Sequence, residues 1–322
     1  MSKALSILQV NVRKREPVQQ SLMNNDTLKD YGVLAVAEPY ARLADGKVIT
    51  SPMWQNNWTG MMPTRWHDAL CPIRSMLWVR SDIEAEQVSV PSADITAAVL
   101  RLPERDVLVV SVYVQGKSPE TLISATGALY ELIGTFRDAT GRRADVVLAG
   151  DFNRHVLLWT GDDVSILRQG EAEPIVDLMA EHGLRCLLPR GTKTWQGQGW
   201  ESTIDLVLAT SELAGEMVAC VKHLTDHGSD HRAIQTTLDV ELPERRWWTG
   251  DLTRLHGAYT FWRNRARAQR RAAQACPDLE RRSKEAAKEY HDAIRSQKKA
   301  HWEDFLSEGV HTWKAAKYPA GP

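Results

Sequence analysis

Four cysteines in 322 residues, none of them in a Cys-x-x-Cys pair, leave too little sulfur for a zinc cluster or a disulfide framework. Cys71, Cys186, Cys220 and Cys276 are widely spaced, as free thiols in a reducing compartment are. Long apolar runs are missing too. The opening MSKALSILQVNVRK is broken by Gln9 and Asn11 too early for a signal peptide, and no later run is long enough to span a bilayer. Internal repeats and low-complexity tracts are also absent. These absences set the expectation of an intracellular, soluble chain with no membrane partner. A net charge of −1 conceals a split, because residues 1–243 carry 23 Lys/Arg against 31 Asp/Glu while residues 244–322 carry 17 against 10. An acidic body followed by a tail of net +7 is a form suited to meeting a polyanion.

What is present is 43% hydrophobic content, enough for a sizeable core in one large domain with an appendage. Leu5–Val10 and Val33–Ala37 read as strands, separated by a helix of about 15 residues that carries Val18, Leu22 and Leu28. Residues 41–72, with Trp54, Trp58 and Trp66 among Gly, Pro and Asn, read as a loop over a core edge. Ile73–Arg80, Ile95–Leu102 and Val107–Val114 are β-branched or apolar runs with turn signals between them. Ser118-Pro119 opens a helix to about Asp138, an N-cap followed by proline in the first turn. Glu171–His182 is a second helix, stopped by Gly183. Thr192–Ala209 reads as a hairpin whose buried limb holds Asp205, with Trp195 and Trp200 as a cross-strand aromatic pair. Ala233–Val240 is the last strand, and Pro243 the natural boundary. Beyond it Arg254–Gln274 and Leu279–Leu306 read as basic helices.

The most informative stretch is DVVLAGDFN at 145–153. An apolar run of strand length stops at Ala149-Gly150, and Asp151 and Asn153 then share one face of the exit. Taken alone, GDFN fits an Asp/Asn turn as well as a site. Asn11, Glu38, Tyr113, Asp205, Asp230 and His231 share its placement, a polar group at or beside the end of an apolar strand, where a sheet scaffold presents a site. These residue types suit phosphodiester cleavage. Carboxylate and amide oxygen take a hard divalent ion, which Glu38 could anchor with Asn11 or Asp230. A carboxylate such as Asp151 can orient or deprotonate a water, and His231 held by Asp205 would stabilise charge in the transition state. His223, His227 and His231 have i, i+4, i+8 spacing, but Gly228 and Ser229 interrupt any helical metal face.

Six segments in order, QVN at 9–11, AEP at 37–39, SVY at 111–113, GDFN at 150–153, STID at 202–205 and GSDH at 228–231, resemble the endonuclease/exonuclease/phosphatase superfamily. Within it the chain is similar to the apurinic-type endonuclease of a LINE-like, non-LTR retrotransposon, in which GDFN is followed by a His and then a Trp, as His155 and Trp159 follow here. A second His common in that family is Val156 in this sequence. The resemblance implies an α/β fold, a four-layer αββα sandwich of two packed mixed sheets, with the domain at 1–243 and a basic helical linker at 244–322. It implies a Mg²⁺-dependent DNA nickase, with Mn²⁺ as a substitute, acting in the nucleus. The roles it implies put Glu38 and Asn11 at the metal, Asp230 near the metal or the leaving group, Asp151 at the nucleophilic water and Asp205 behind His231. Tyr113, Asn153 and His231 stand at the phosphate, and Thr194, Ser202, Ser229 and His155 are further phosphate or DNA contacts. The tail resembles the linker to a reverse transcriptase, so a polymerase domain and element RNA are implied partners. The chain stops before any polymerase motif, as a piece of a longer element would. The rivals are a phosphatase or other phosphodiesterase with the same core residues, and a catalytically inactive nucleic-acid-binding relic.

Overall fold

Apolar runs without alternation form the centre of this molecule. Val33–Ala37 is buried at all five positions, and so is every residue from Asp145 to Asp151. Strands of that kind need cover on both faces, and two stacked sheets with helices outside supply it. The computed structural model describes residues 3–44, 47–51, 58–67, 71–116, 118–162, 171–197, 199–242, 250–271 and 276–307. The chain divides into two compact units, 1–243 and 244–322.

The first unit begins with β1 (Lys3–Asn11), α1 (Glu16–Met23), a 3-10 turn (Asp26–Asp30), β2 (Val33–Ala37), β3 (Ala41–Ala44), β4 (Lys47–Thr50) and β5 (Trp58–Met61). It continues with β6 (Ser75–Arg80), β7 (Ala85–Val88), β8 (Ile95–Arg101), β9 (Arg105–Tyr113), α2 (Pro119–Ala139) and β10 (Arg143–Asp151). Then come α3 (Leu157–Thr160), α4 (Glu173–His182), β11 (Leu184–Cys186), β12 (Trp195–Gly197), β13 (Trp200–Ser202), β14 (Asp205–Thr210), α5 (Ser211–Ala214), β15 (Met217–Lys222) and β16 (Ile234–Leu242). The second unit holds α6 (Gly250–Arg271) and α7 (Pro277–Ser307). No helix among the described residues is long and apolar enough to cross a membrane.

Sheet I has the order β15-β16-β1-β2-β6-β5 and sheet II the order β11-β14-β10-β9-β8-β7. In each, the two central strands are parallel and the other neighbours antiparallel. Strand β1 shows how sequence selects the layers. Leu5 and Ile7 join Val107, Val109 and Val147 between the sheets, while Leu8 and Val10 turn outward onto Val18, Leu22 and Leu28 of α1 and the 3-10 turn. Each buried Leu, Ile or Val contributes about 1.5–3 kcal/mol, so slipping β1 by one residue would exchange both faces at once. On the far side of sheet II, Leu129, Ile133 and Leu178 from α2 and α4 cover Val110 and Leu148. The layers are therefore helix, sheet, sheet, helix.

Several local expectations need correction. The helix after β1 breaks at Asn24-Asn25, where the Asn25 side chain accepts from Thr27 N and starts a separate 3-10 turn. Residues 41–72 are not all loop, since β3 and β4 pair and β5 forms the edge of sheet I. Trp58 lies on β5 and Trp66 is 48% exposed, while Trp54 falls outside the described residues. β7, β11 and β15 are further edge strands; β7 and β11 have no clear apolar signal, and the apolar run of β15 is largely exposed. The 192–209 hairpin is confined to β12 and β13, and β14 leaves it to pair with β10 and β11 in sheet II. Trp195 faces Ser202 and Trp200 faces Gly197, so the two indoles are not a cross-strand pair. The α2 start is as expected, with Ser118 Oγ accepting from Thr121 N at 3.2 Å.

Candidate active site

Topology brings six strand ends to one place. β1 and β2 run parallel and finish at Asn11 and Ala37, next to Glu38, while β9 and β10 run parallel and finish in register at Tyr113 and Asp151. β16 and β14 run antiparallel to β1 and β10, so their starts lie at the same end. Asp205 stands opposite Asp151, and His231 just precedes β16.

The polar groups then bond across the seam between the sheets. Asn11 Nδ2 donates to Asp151 Oδ2 at 2.9 Å and to Glu38 Oε2 at 3.3 Å, so a single amide holds two acids from different sheets. Asp205 is held from two sides, Gln9 Nε2 donating to Oδ1 at 3.0 Å and His231 Nδ1 pairing with Oδ2 at 2.8 Å. Asn153 N donates to Asp151 Oδ1 at 3.0 Å, and its amide is anchored on Val114 O. Asp151 and Asp205 are 1% and 0% exposed. Buried acids at that depth persist only when hydrogen-bonded, and each of these is.

Electrostatics separate the acid from the base. Burial, then the nearby charge of Asp205, pushes Asp151 up to about 8 against the pull of His231 and the Asn11 and Asn153 donors. Burial alone would lower His231, but the charge of Asp205 and its hydrogen bond overrule it and hold the imidazolium up to about 9. Burial, followed by the charges of Glu38 and Asp151, raises the Tyr113 phenol, which stays protonated.

Backbone strain is concentrated here. Among the described residues the non-glycine positions with positive φ are Arg13 (51°), Lys14 (58°), Glu38 (45°) and Asn153 (49°), all at these strand ends. Left-handed geometry costs about 1–2 kcal/mol for a residue with a Cβ, and such residues cluster where a site fixes the chain. Gly150 meets a different constraint. A Cβ there would lie 1.9 Å from Val112 O, so only glycine lets β10 deliver Asp151 beside β9.

Of the remaining sequence-derived positions, Asp230 is turned to Arg13 (2.8 Å) and to Trp195 Nε1 (3.0 Å) rather than gathered onto the Asn11 amide with Glu38. Ser229 Oγ donates to Asn11 O at 2.7 Å and accepts from His231 N, tying the GSDH turn to β1. Thr194 is fully buried, with its hydroxyl accepting from Ile204 N and Asp205 N, both at 3.1 Å. Ser202, half-buried, accepts from Thr194 N through its carbonyl, and His155 is half-buried two residues beyond Asn153. Trp159 is buried and donates to Arg154 O. His227 lies in irregular chain and His231 in an isolated antiparallel bridge with Trp195, so neither is on a helix. Gln9 is the partner the strand pattern could have revealed, since it shares a face with Asn11 two residues on and is polar within an apolar run. Arg74 had no such signal. Its guanidinium lies 5.4 Å from the Tyr113 ring centre, contacts Asp94 Oδ1 at 2.9 Å and donates to Gln115. Arg154, 4% exposed, donates to the carbonyls of Asn153, Gln115 and Ser118 and so holds the loops on either side of the site.

A divalent cation fits this donor set. Asp151, Asp205 and His231 offer atoms within 4.8 Å of one another. Asp205 already accepts from Gln9 and His231, and His231 is held in its charged form, so the carboxylate oxygens of Glu38 and Asp151 are the better match to a hard ion, while the Asn11 amide turns Nδ2 toward them and Oδ1 toward Arg13 N. The amide hydrogens of Asn11 face both carboxylates and so draw two like-charged groups to one point.

This architecture, two mixed sheets wired alike with polar groups at the joined ends of their central strands, is the endonuclease/exonuclease/phosphatase fold. Residues 107–235 match a family model described as endonuclease-reverse transcriptase. The endonuclease domain of TRAS1, a telomere-specific non-LTR retrotransposon, aligns with a TM-score of 0.59 at 15% identity, over 73% of this chain and 99% of that one. AP endonuclease LMAP from Leishmania major aligns with a TM-score of 0.61 at 14% identity, over 75% and 89% of the two chains. The catalytic domain of Xenopus laevis APE2 gives 0.57 at 13%, over 75% and 94%. A search of curated proteins finds no match. Sequence model and fold thus support the superfamily resemblance and, within it, the likeness to LINE-like endonucleases.

Proposed function

We propose that the chain is a Mg²⁺-dependent DNA endonuclease of a non-LTR retrotransposon, nicking one strand to prime reverse transcription at the target site. The observation that carries this reading is the Asn11 amide bridging Glu38 and Asp151 across the two sheets, with the Asp205–His231 pair at the same strand ends. The family model's description and the TRAS1 likeness support the retrotransposon setting. In that setting the partners are target DNA in the nucleus, a reverse transcriptase domain and element RNA, with 244–322 as linker.

A divalent cation held by Glu38 and Asp151 would supply the positive charge that keeps these acids ionised and offsets charge gathering on the phosphate. Asp151 orients the attacking water and accepts its proton as the water oxygen bonds to phosphorus and the phosphorus–O3′ bond breaks, the departing O3′ taking a proton from solvent, while Asn153 N and Asn11 Nδ2 fix the carboxylate. His231, kept charged by Asp205, donates to the phosphate oxygens as they become more negative. Gln9 holds the other oxygen of Asp205, so the imidazole has one orientation. Tyr113, kept protonated, gives a second donor on the phosphate. Incubation of purified protein with supercoiled plasmid should yield nicked circles with Mg²⁺ and none with EDTA. Release of inorganic phosphate from phosphomonoesters without nicking would move the assignment to a phosphatase of the same fold.

A further inference from the structure

We propose that Arg13 and Lys14 form a clamp for a backbone phosphate of the nucleic-acid strand, a binding site beyond the strand-end motifs. It rests on the nuclease reading and deepens it. The turn Val12–Arg15 is closed by Arg15 N donating to Val12 O at 3.0 Å, with both central residues left-handed, at φ 51° and 58°. Tight turns of that kind favour Asn-Gly, whose backbones adopt it with little strain. Arg-Lys is a poor choice for the backbone, so the side chains are the reason for these residues.

The turn is also fixed relative to the catalytic groups. Val12 N donates to Ala37 O at 3.0 Å, Arg13 N to Asn11 Oδ1 at 2.8 Å and Lys14 N to Glu38 O at 2.7 Å. Arg13 and Lys14 therefore start from a rigid base at the joined strand ends. Arg13 Nη1 reaches Asp230 at 2.8 Å and Lys14 Nζ reaches Glu38 at 3.0 Å, with the two side chains 45% and 47% exposed. Their acid partners are 20% and 13% exposed, so solvent screens these pairs from the cation side. A guanidinium has five donors and an ammonium three, so a phosphate arriving at this edge can share them with Asp230 and Glu38. Pairing with acids alone would not require two consecutive strained residues, since a flexible Lys or Arg from an ordinary turn could do it.

The test separates charge from backbone. Asn tolerates left-handed φ and carries no charge, so Arg13→Asn and Lys14→Asn keep the turn while removing the clamp. Binding of the full chain to a short fluorescein-labelled duplex is measured by anisotropy in EDTA over a salt series, so that no cleavage enters the readout. Each substitution should flatten the slope of log affinity against log salt by about 1, and the double variant by about 2. Thermal unfolding should stay unchanged or rise. A wild-type slope in the double variant, with wild-type protein that binds and nicks, overturns the clamp and leaves the nuclease reading intact. A flattened slope in the double variant, with wild-type protein that binds but never nicks with Mg²⁺, keeps the clamp and sinks the nuclease reading. Wild-type protein that binds no DNA removes both.

Discussion

Sheet I and sheet II have the same wiring but bring opposite chemistry to the seam. Each ends its central parallel pair at the site and starts one antiparallel neighbour there, giving Asn11, Glu38 and His231 from one sheet and Asp151, Tyr113 and Asp205 from the other. At matching places, sheet I supplies an amide where sheet II supplies Asp151, and an imidazolium where sheet II supplies Asp205. At the site the seam is crossed by hydrogen bonds from Asn11 to Asp151, Gln9 to Asp205 and His231 to Asp205, and away from it by Ser75 with Thr96 and by Ser111 to Val36 O. Neither half could hold its groups alone, because Asp151 and Asp205 stand opposite each other in sheet II and repel. The lesson is that donors from one sheet make a pair of buried acids tolerable on the other.

Removing one member from each sheet gives the largest effect. Asp151→Ala and His231→Ala should each reduce plasmid nicking about 100-fold or more while far-UV circular dichroism stays native. Wild-type nicking in either variant, with normal thermal unfolding, would dissolve the comparison. Glu38→Gln is expected to act through the cation. Its Mg²⁺ titration should move roughly tenfold to higher concentration, and an unchanged titration would remove Glu38 from the ion's ligands.

The crossing pair also has a pH signature. His231 is raised from 6.5 to about 9 in the folded protein, so its stabilisation is complete below pH 6.5 and is lost as pH rises through about 9. Asp151, raised from 3.8 to about 8, has the same sign over its lower window. In EDTA the melting temperature should therefore fall by several degrees between pH 6.5 and 9.5. His231→Gln should flatten the upper part of that fall, whereas an identical fall in the variant would assign it to other groups. The smallest effect belongs to the second unit. Deleting 244–322, with its net +7, should flatten the salt dependence of DNA binding and leave nick positions on a fixed duplex unchanged. Relocated nicks would show that the tail helps choose the site.

The layers of the first unit were legible because period-two and unbroken apolar runs mark which faces are covered. β1, β2, β9 and β10 follow those runs to within about two residues. The short edge strands β3, β5, β7 and β15 were not legible, because half-exposed strands of four to six residues take their geometry from a neighbour rather than from their own pattern. The 192–209 segment failed for a related reason, since β14 is held by β10 and not by the turn that precedes it.

By itself the sequence determined the residue types of the site and their place at strand ends, since a polar group closing an apolar run needs no partner to be noticed. Only the tertiary structure decided which of them meet. Asn11 lies 140 residues from Asp151 and Gln9 lies 196 from Asp205, and the stacking of two sheets is what brings each pair within a hydrogen bond. It also turned Asp230 toward Arg13 and Trp195, buried Thr194 beneath Asp205 and set Arg13 and Lys14 in left-handed backbone. Those outcomes depend on directions of side chains across long separations, which local propensity does not encode.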